Sequence, residues 1–211
     1  MFVTSDASRP TFELSSRDEL GHVLNDLELV GEGVEVGVFR GDFAKTILQA
    51  WLGRRLSLVD SWRQLADYRD NWNLPDPEME RNYHATLENV AAFKDRVRII
   101  RALSVEAPRE FADGACDFIY IDANHGYDSV RADLAAWYPK LRRGGLFCGH
   151  DYFDAATDEN LKPIRNGRSA ISRDRLTSYG VKSAVDEFAV SIQARVSATD
   201  EFDPTWYFIK D

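Results

Sequence analysis

Four residues near the middle of the chain carry the most chemistry for their spacing. Asp122 and His125 follow one apolar run, and His150 with Asp151 closes another. Acids and imidazoles gathered at the ends of apolar runs mark a candidate ligand site. Upstream, Glu35 interrupts the apolar run from Gly33 to Val38, and Asp60 ends the run from Arg55 (RLSLVD). Burying a carboxylate alone is costly. Glu35 therefore implies a cationic or hydrogen-bond-donating ligand, or a bond to the N–H groups of the loop that follows it.

These residues need a frame that brings them together. The stretch from Cys116 to Tyr152 (CDFIYIDANHGYDSVRADLAAWYPKLRRGGLFCGHDY) reads as strand, helix and strand, with Val130, Leu134, Trp137 and Leu141 at helical spacing and a Gly144-Gly145 stop. Two strands joined by one crossover helix lie parallel, so their carboxyl ends point the same way. If they are neighbours, roughly 5 Å apart, Asp122, His125, His150 and Asp151 meet at one sheet edge. Open α/β sheets bind their ligands at such an edge.

Earlier and later elements extend the frame. Ser16 to Glu19 forms a capping box, and Leu20, Val23, Leu24 and Leu27 continue a first helix, read as a cover for the sheet. The first strand, 33–38, passes through a turn at Phe39, Arg40 and Gly41 into a helix reaching Trp51. Glycines at 37 and 41 let a ligand approach the backbone at a helix start, yet no G-x-G-x-x-G fingerprint is present. Asp60 stands about 20 residues beyond that turn, where nucleotide-binding α/β folds hold ribose hydroxyls; capping the segment from Ser61 is the alternative. Asp76 is expected as the N-cap of a helix through Phe93 with Met79, Tyr83, Leu87 and Val90 buried, and His84 beside that stripe as a surface histidine. A third strand covers 97–102, and Ser104 is expected to cap a short helix over 105–111. A helix over 181–193 and strands at 194–197 and 206–210 complete the chain. Residues 1–14 read as an arm, and 152–179 as a substrate-facing lid containing Arg165, Asn166, Gly167, Arg168, Arg173 and Arg175.

Composition narrows the functional classes. The chain has 211 residues, 44% hydrophobic and 29% charged, with a formal charge of −9. That is ordinary for one globular domain, 1–211, and the acidic balance disfavours nucleic acid. No apolar run approaches a membrane span, and the amino terminus lacks a basic region followed by an apolar core. The expectation is a cytoplasmic protein with a small-molecule partner and no membrane; a homo-oligomer stays open. Cys116 and Cys148 fall in strands and read as reduced core thiols.

Taken in order, VEVGVFRGDFA (34–44), LVDSW (58–62), RALSVEA (101–107), IDANHGYDSVRADL (121–134), RRGGLFCGHDY (142–152) and GVKSAVDEF (180–188) resemble class I S-adenosylmethionine-dependent methyltransferases. The narrower likeness is to the small O-methyltransferases related to macrocin and novobiocin sugar methylators, with catechol O-methyltransferase more distant. The resemblance implies a Rossmann-like α/β fold: a seven-stranded, mostly parallel sheet of order 3-2-1-4-5-7-6, helices on both faces, last strand antiparallel. It implies that Glu35, Gly37, Phe39, Arg40 and Gly41 hold the methionine part of S-adenosylmethionine, Asp60 the ribose, and Ser61, Trp62, Ala102 and Ser104 the adenosine. It further implies a metal at Asp122, His150 and Asp151. Imidazole at position 150 departs from an all-oxygen set, so Mg²⁺, Mn²⁺ or a softer ion all come into question. The implied reaction is O-methylation of a small hydroxylated acceptor, with Asp122 and His125 catalytic and His125 as base. A metal-free His125 or His150 base, a cephalosporin-type metal-dependent hydroxylase, and a non-catalytic S-adenosylmethionine-binding protein are the alternatives.

Overall fold

The computed structural model describes residues 12–66, 68, 70–154 and 179–211. Seven strands form one sheet: β1 (Glu32–Val36), β2 (Arg55–Asp60), β3 (Val97–Arg101), β4 (Cys116–Ile121), β5 (Leu141–Gly149), β6 (Ser197–Ala198) and β7 (Trp206–Ile209). Their order is β3-β2-β1-β4-β5-β7-β6. The first five pair in parallel, while β7 runs antiparallel to both β5 and β6. This is the expected Rossmann-like arrangement.

Among the described residues, five α-helices accompany the strands: α1 (Leu20–Asp26), α2 (Asp42–Ala50), α3 (Asp76–Val90), α4 (Tyr127–Trp137) and α5 (Val181–Ser191). β4 is buried along its whole length, because apolar layers cover both faces of a parallel sheet. One layer gathers Leu20, Leu24, Ile47, Trp51, Phe118 and Tyr120. The other gathers Val34, Val36, Ile119, Leu134, Phe147 and Val185. Cys116 and Cys148 are free and buried.

Several local expectations need correction. α3 starts after Pro75 with no side-chain cap, and Asp76 Oδ1 instead accepts from the Gln64 N–H at 2.8 Å. Its buried face holds Met79, Asn82, Thr86 and Val90 rather than Leu87. Thr86 is polar but satisfied, donating to the Asn82 and Phe39 carbonyls, which lets it face inward. The expected 105–111 helix is a single 3-10 turn, Ala107–Glu110, with no side-chain cap. β5 begins at Leu141, ahead of the glycine pair, with a register shift against β4 that absorbs Gly144 at φ +73°. Arm residues 1–11 and most of the expected lid, including its four arginines, lie outside the described residues.

The carboxyl ends of β1, β2, β4 and β5 now stand side by side. Glu35 pairs in register with Tyr120, Val36 with Ile121, and Ile121 with Gly149. That register places Asp122 and His150 at adjacent strand ends.

Candidate functional site

The glycine turn after β1 is fixed by its neighbours rather than by its own side chains. Gly37 has φ +89°, and a Cβ there would stand 1.9 Å from the Asp122 carbonyl oxygen, so only glycine fits. Phe39 also holds a positive φ of 53°. Its carbonyl accepts from Trp62 Nε1 at 2.8 Å and from Thr86 Oγ1 at 3.2 Å, which stabilises that backbone. Asn89 Nδ2 donates to the Arg40 carbonyl at 3.0 Å.

Asp60 closes the turn from the other side. Its Oδ2 accepts from the N–H groups of Val38 and Phe39 at 2.9 and 3.0 Å, and its Oδ1 from Trp62 at 2.7 Å. Burial pushes the Asp60 carboxyl up, with the backbone N–H groups opposing.

Glu35 is 2% exposed, and its Oε2 has no hydrogen-bond partner. Burial, then the nearby Asp122 charge, raises its carboxyl well above the usual range, with Arg17 opposing. The Val38 and Phe39 N–H groups are directed to Asp60, that of Gly37 to the Val59 carbonyl and that of Gly41 to the Val38 carbonyl. The alternative in which Glu35 bonds its own loop therefore loses its donors, and the ligand alternative remains.

The second half of the site is a cluster of charges. His125 is 6% exposed and held from both sides. Nδ1 lies 3.0 Å from the Tyr68 hydroxyl and 3.1 Å from Asp70 Oδ2, and the ring stacks on Tyr179 with centroids 4.6 Å apart. Nε2 lies 3.1 Å from Asp151 Oδ2 and 3.5 Å from Asp122 Oδ1. It is aligned for a hydrogen bond with neither oxygen. Burial alone would lower the His125 pKa, but Asp151, Asp122 and Asp70 together raise it well above its ordinary value. Burial favours neutral Asp70, yet its contacts with His125 outweigh that and hold the carboxyl down to about 2. In Asp122, burial is likewise reversed by His150, His125 and Arg17, so its pKa falls; in Asp151, burial wins and the pKa rises.

One donor atom each from Asp122, His125 and Asp151 fit within 4.8 Å of one another. An imidazole nitrogen without a hydrogen-bond partner, facing two carboxylates, is the donor chemistry a divalent cation takes. His150 lies beside this set, its Nδ1 3.4 Å from Asp151 Oδ1 and 3.8 Å from Asp122 Oδ2. Asp151 itself sits at φ 53°, a strained conformation for a non-glycine residue at the end of β5.

Both halves line one cavity of about 390 Å³. That is within the range for a small-molecule site. Among the residues expected from sequence, Glu35, Gly37, Phe39, Arg40, Asp60, Ser61, Ser104, Asp122, His125, His150 and Asp151 line it; Gly41, Trp62 and Ala102 do not. Trp62 is 1% exposed and acts as a brace under the turn. Arg17, Tyr68 and Trp72 line the cavity without having been singled out. Asp70 was missed too, because it lies in an irregular segment whose path no periodicity reveals. Arg17 sat in a capping box that looked purely structural.

A family model described as a methyltransferase domain matches residues 34–152, the span that contains both halves of this cavity. The chain belongs to that methyltransferase family. A curated relative, the uncharacterized protein y4gI of Sinorhizobium fredii (strain NBRC 101917 / NGR234), is 25% identical over 132 residues. The match covers 63% of the methyltransferase chain and 14% of the relative, so the chain spans only a small part of that protein's length. An O-methyltransferase from Bacillus cereus, solved in complex with SAH, superposes with a TM-score of 0.57 at 14% identity, covering 95% of this chain and 84% of that one. Spermidine synthase from Thermotoga maritima gives 0.55 at 16% identity, covering 92% and 58%. At these identities the likeness is one of fold, and the fold hosts more than one reaction.

Proposed function

We propose that this methyltransferase moves the methyl group of S-adenosylmethionine onto a hydroxyl oxygen of a small diol-bearing molecule. A natural-product sugar of the kind handled by macrocin and novobiocin methylators is the leading candidate. The observation that supports the reading is the single cavity shared by the glycine turn with Asp60 and the Asp122, His125 and Asp151 cluster. A scaffold that had lost turnover would not need both.

In this reading Asp60 holds the ribose hydroxyls, and Glu35 faces the donor's ammonium. Ser61 and Ser104 line the adenosine end, with Gly41, Trp62 and Ala102 acting through the turn and the wall behind it. Asp122, His125 and Asp151 hold a divalent cation. An ion held there would supply Lewis-acid activation of an acceptor hydroxyl. The sulfonium is already a good leaving group, so the protein's task is chiefly alignment, which can lower a two-reactant barrier by roughly 7–11 kcal/mol. His150, on the cavity wall beside the cluster, receives the hydroxyl proton. The histidine roles expected from sequence are thus exchanged, because both ring nitrogens of His125 are already engaged or enclosed. The partner is a small molecule rather than nucleic acid or a membrane, and the setting is the cytoplasm. Among the described residues no helix is long and apolar enough to cross a bilayer.

The test is methyl transfer from labelled S-adenosylmethionine to a panel of vicinal diols and sugars, with and without chelator. Activity that falls in chelator and returns with Mg²⁺ or Mn²⁺ supports the reading, whereas full activity in chelator removes the metal from it. Oxygen uptake that depends on iron, without methyl transfer, would replace methylation with hydroxylation.

A further inference from the structure

Arg17 lines the cavity although it lies outside residues 34–152. It belongs to a 3-10 turn, Arg17–Glu19, ahead of α1. The position is built from the far end of the chain. Glu201 Oε2 accepts from the Arg17 N–H at 2.9 Å, and Glu201 Oε1 accepts from Ser16 Oγ at 2.8 Å. The guanidinium then lies over the Phe43 ring, 4.8 Å from its centroid. Its Nη1 is 3.8 Å from Asp122 Oδ2, too far for a hydrogen bond. One donor is engaged by the Tyr120 hydroxyl, which leaves further donors of the planar fork available to the cavity that Arg17 lines.

The same end of the cavity holds Glu35 with its partnerless Oε2, and Asp122. One guanidinium beside two carboxylates is the complement of a group that carries an anion and a cation on a single carbon. The α-amino acid end of S-adenosylmethionine is such a group. Arg40 and Arg63 also line the cavity, but both are exposed, where water screens them.

We infer that Arg17 binds the carboxylate of the donor's amino acid end, so that the segment before the first helix completes the donor site. This rests on the donor assignment proposed above and adds a residue to it. A charge-assisted pair of this kind explains why a short turn needs both Glu201 and Phe43 to fix it.

Calorimetry with two ligands separates this contact from a structural role. S-adenosylhomocysteine and its decarboxylated analogue, which keeps the amine and thioether, are titrated into wild type, Arg17→Met and Arg17→Lys. Arg17→Met should weaken S-adenosylhomocysteine about 10- to 100-fold while leaving the decarboxylated analogue within about threefold, as loss of one charge-assisted bond implies. Arg17→Lys, which keeps the charge, should fall between. Equal loss for both ligands, or no loss for S-adenosylhomocysteine, overturns the inference. So does a wild type that binds both ligands equally, a result that leaves the donor assignment standing. A wild type that binds neither ligand removes the donor assignment, and this inference with it.

Discussion

The two halves of the cavity are made in opposite ways. The turn after β1 is shaped by backbone: positive φ at Gly37 and Phe39, two N–H groups bound by Asp60, and carbonyls braced by Trp62 and Thr86. The far half is made by side chains, with Asp122, Asp151, His125 and His150 crowded within a few ångströms. Backbone shape suits a ligand that is the same in every turnover. A cluster of coupled charges suits binding a cation and moving a proton. Substitutions should therefore separate the halves, one abolishing chemistry and the other binding of the donor.

The largest effect should come from Asp151→Asn. Loss of one carboxylate from the cation set, at a site where general acid–base and metal assistance are both at stake, should lower kcat/KM on the order of 10³-fold. S-adenosylhomocysteine affinity should stay within about threefold, because Asp151 belongs to the charge cluster with His125 and His150 rather than to the turn that Asp60 braces. Steady-state kinetics and calorimetry on the same preparation check the pair of outcomes. Next is Gly37→Ala. Its Cβ would meet the Asp122 carbonyl, so denaturant unfolding should show a loss on the order of 3 kcal/mol or more. This position is where the two halves touch, and it is the one place where their separation should break down.

How much of this was legible in the sequence follows the same division. The strand-end acids could be read because apolar runs show where strands end, whereas the strand order rested on the resemblance to class I methyltransferases. The glycine turn was visible from Gly37 and Gly41. The role of Trp62 was not, since an aromatic after a strand end looks alike whether it touches a ligand or braces a loop. Asp70, Tyr68 and Tyr179 reach His125 from segments with no periodicity, so only the fold brings them together. Leu87 was placed inside by its apolar character, whereas Thr86 takes that place by satisfying its hydroxyl on the chain itself. Arg17 looked like part of a helix start and proved to be cavity wall.

A smaller effect concerns a buried carboxylate on α4. Asp133 is fully buried on α4, and burial raises its pKa to about 7, with the nearby Ser104 hydroxyl opposing. The folded protein thus keeps a proton that the unfolded chain releases near pH 4. Stability should fall as pH rises from about 4 to 7 and stay reduced above that. Asp133→Asn removes the charge. Its melting temperature should match wild type near pH 4 and exceed it at pH 8, by an amount on the order of 2 kcal/mol in stability. Thermal scans across that range decide it, and a variant that gains nothing at pH 8 would show that Asp133 stays neutral or finds a partner.

The central claim, a donor half and a chemical half sharing one cavity, is tested most directly by calorimetry of S-adenosylhomocysteine against wild type, Asp60→Ala and Asp151→Asn. The account predicts binding to wild type and to Asp151→Asn with similar affinity, and a loss of about 10- to 100-fold in Asp60→Ala. Equal affinity in all three proteins, or no binding to wild type, would contradict it.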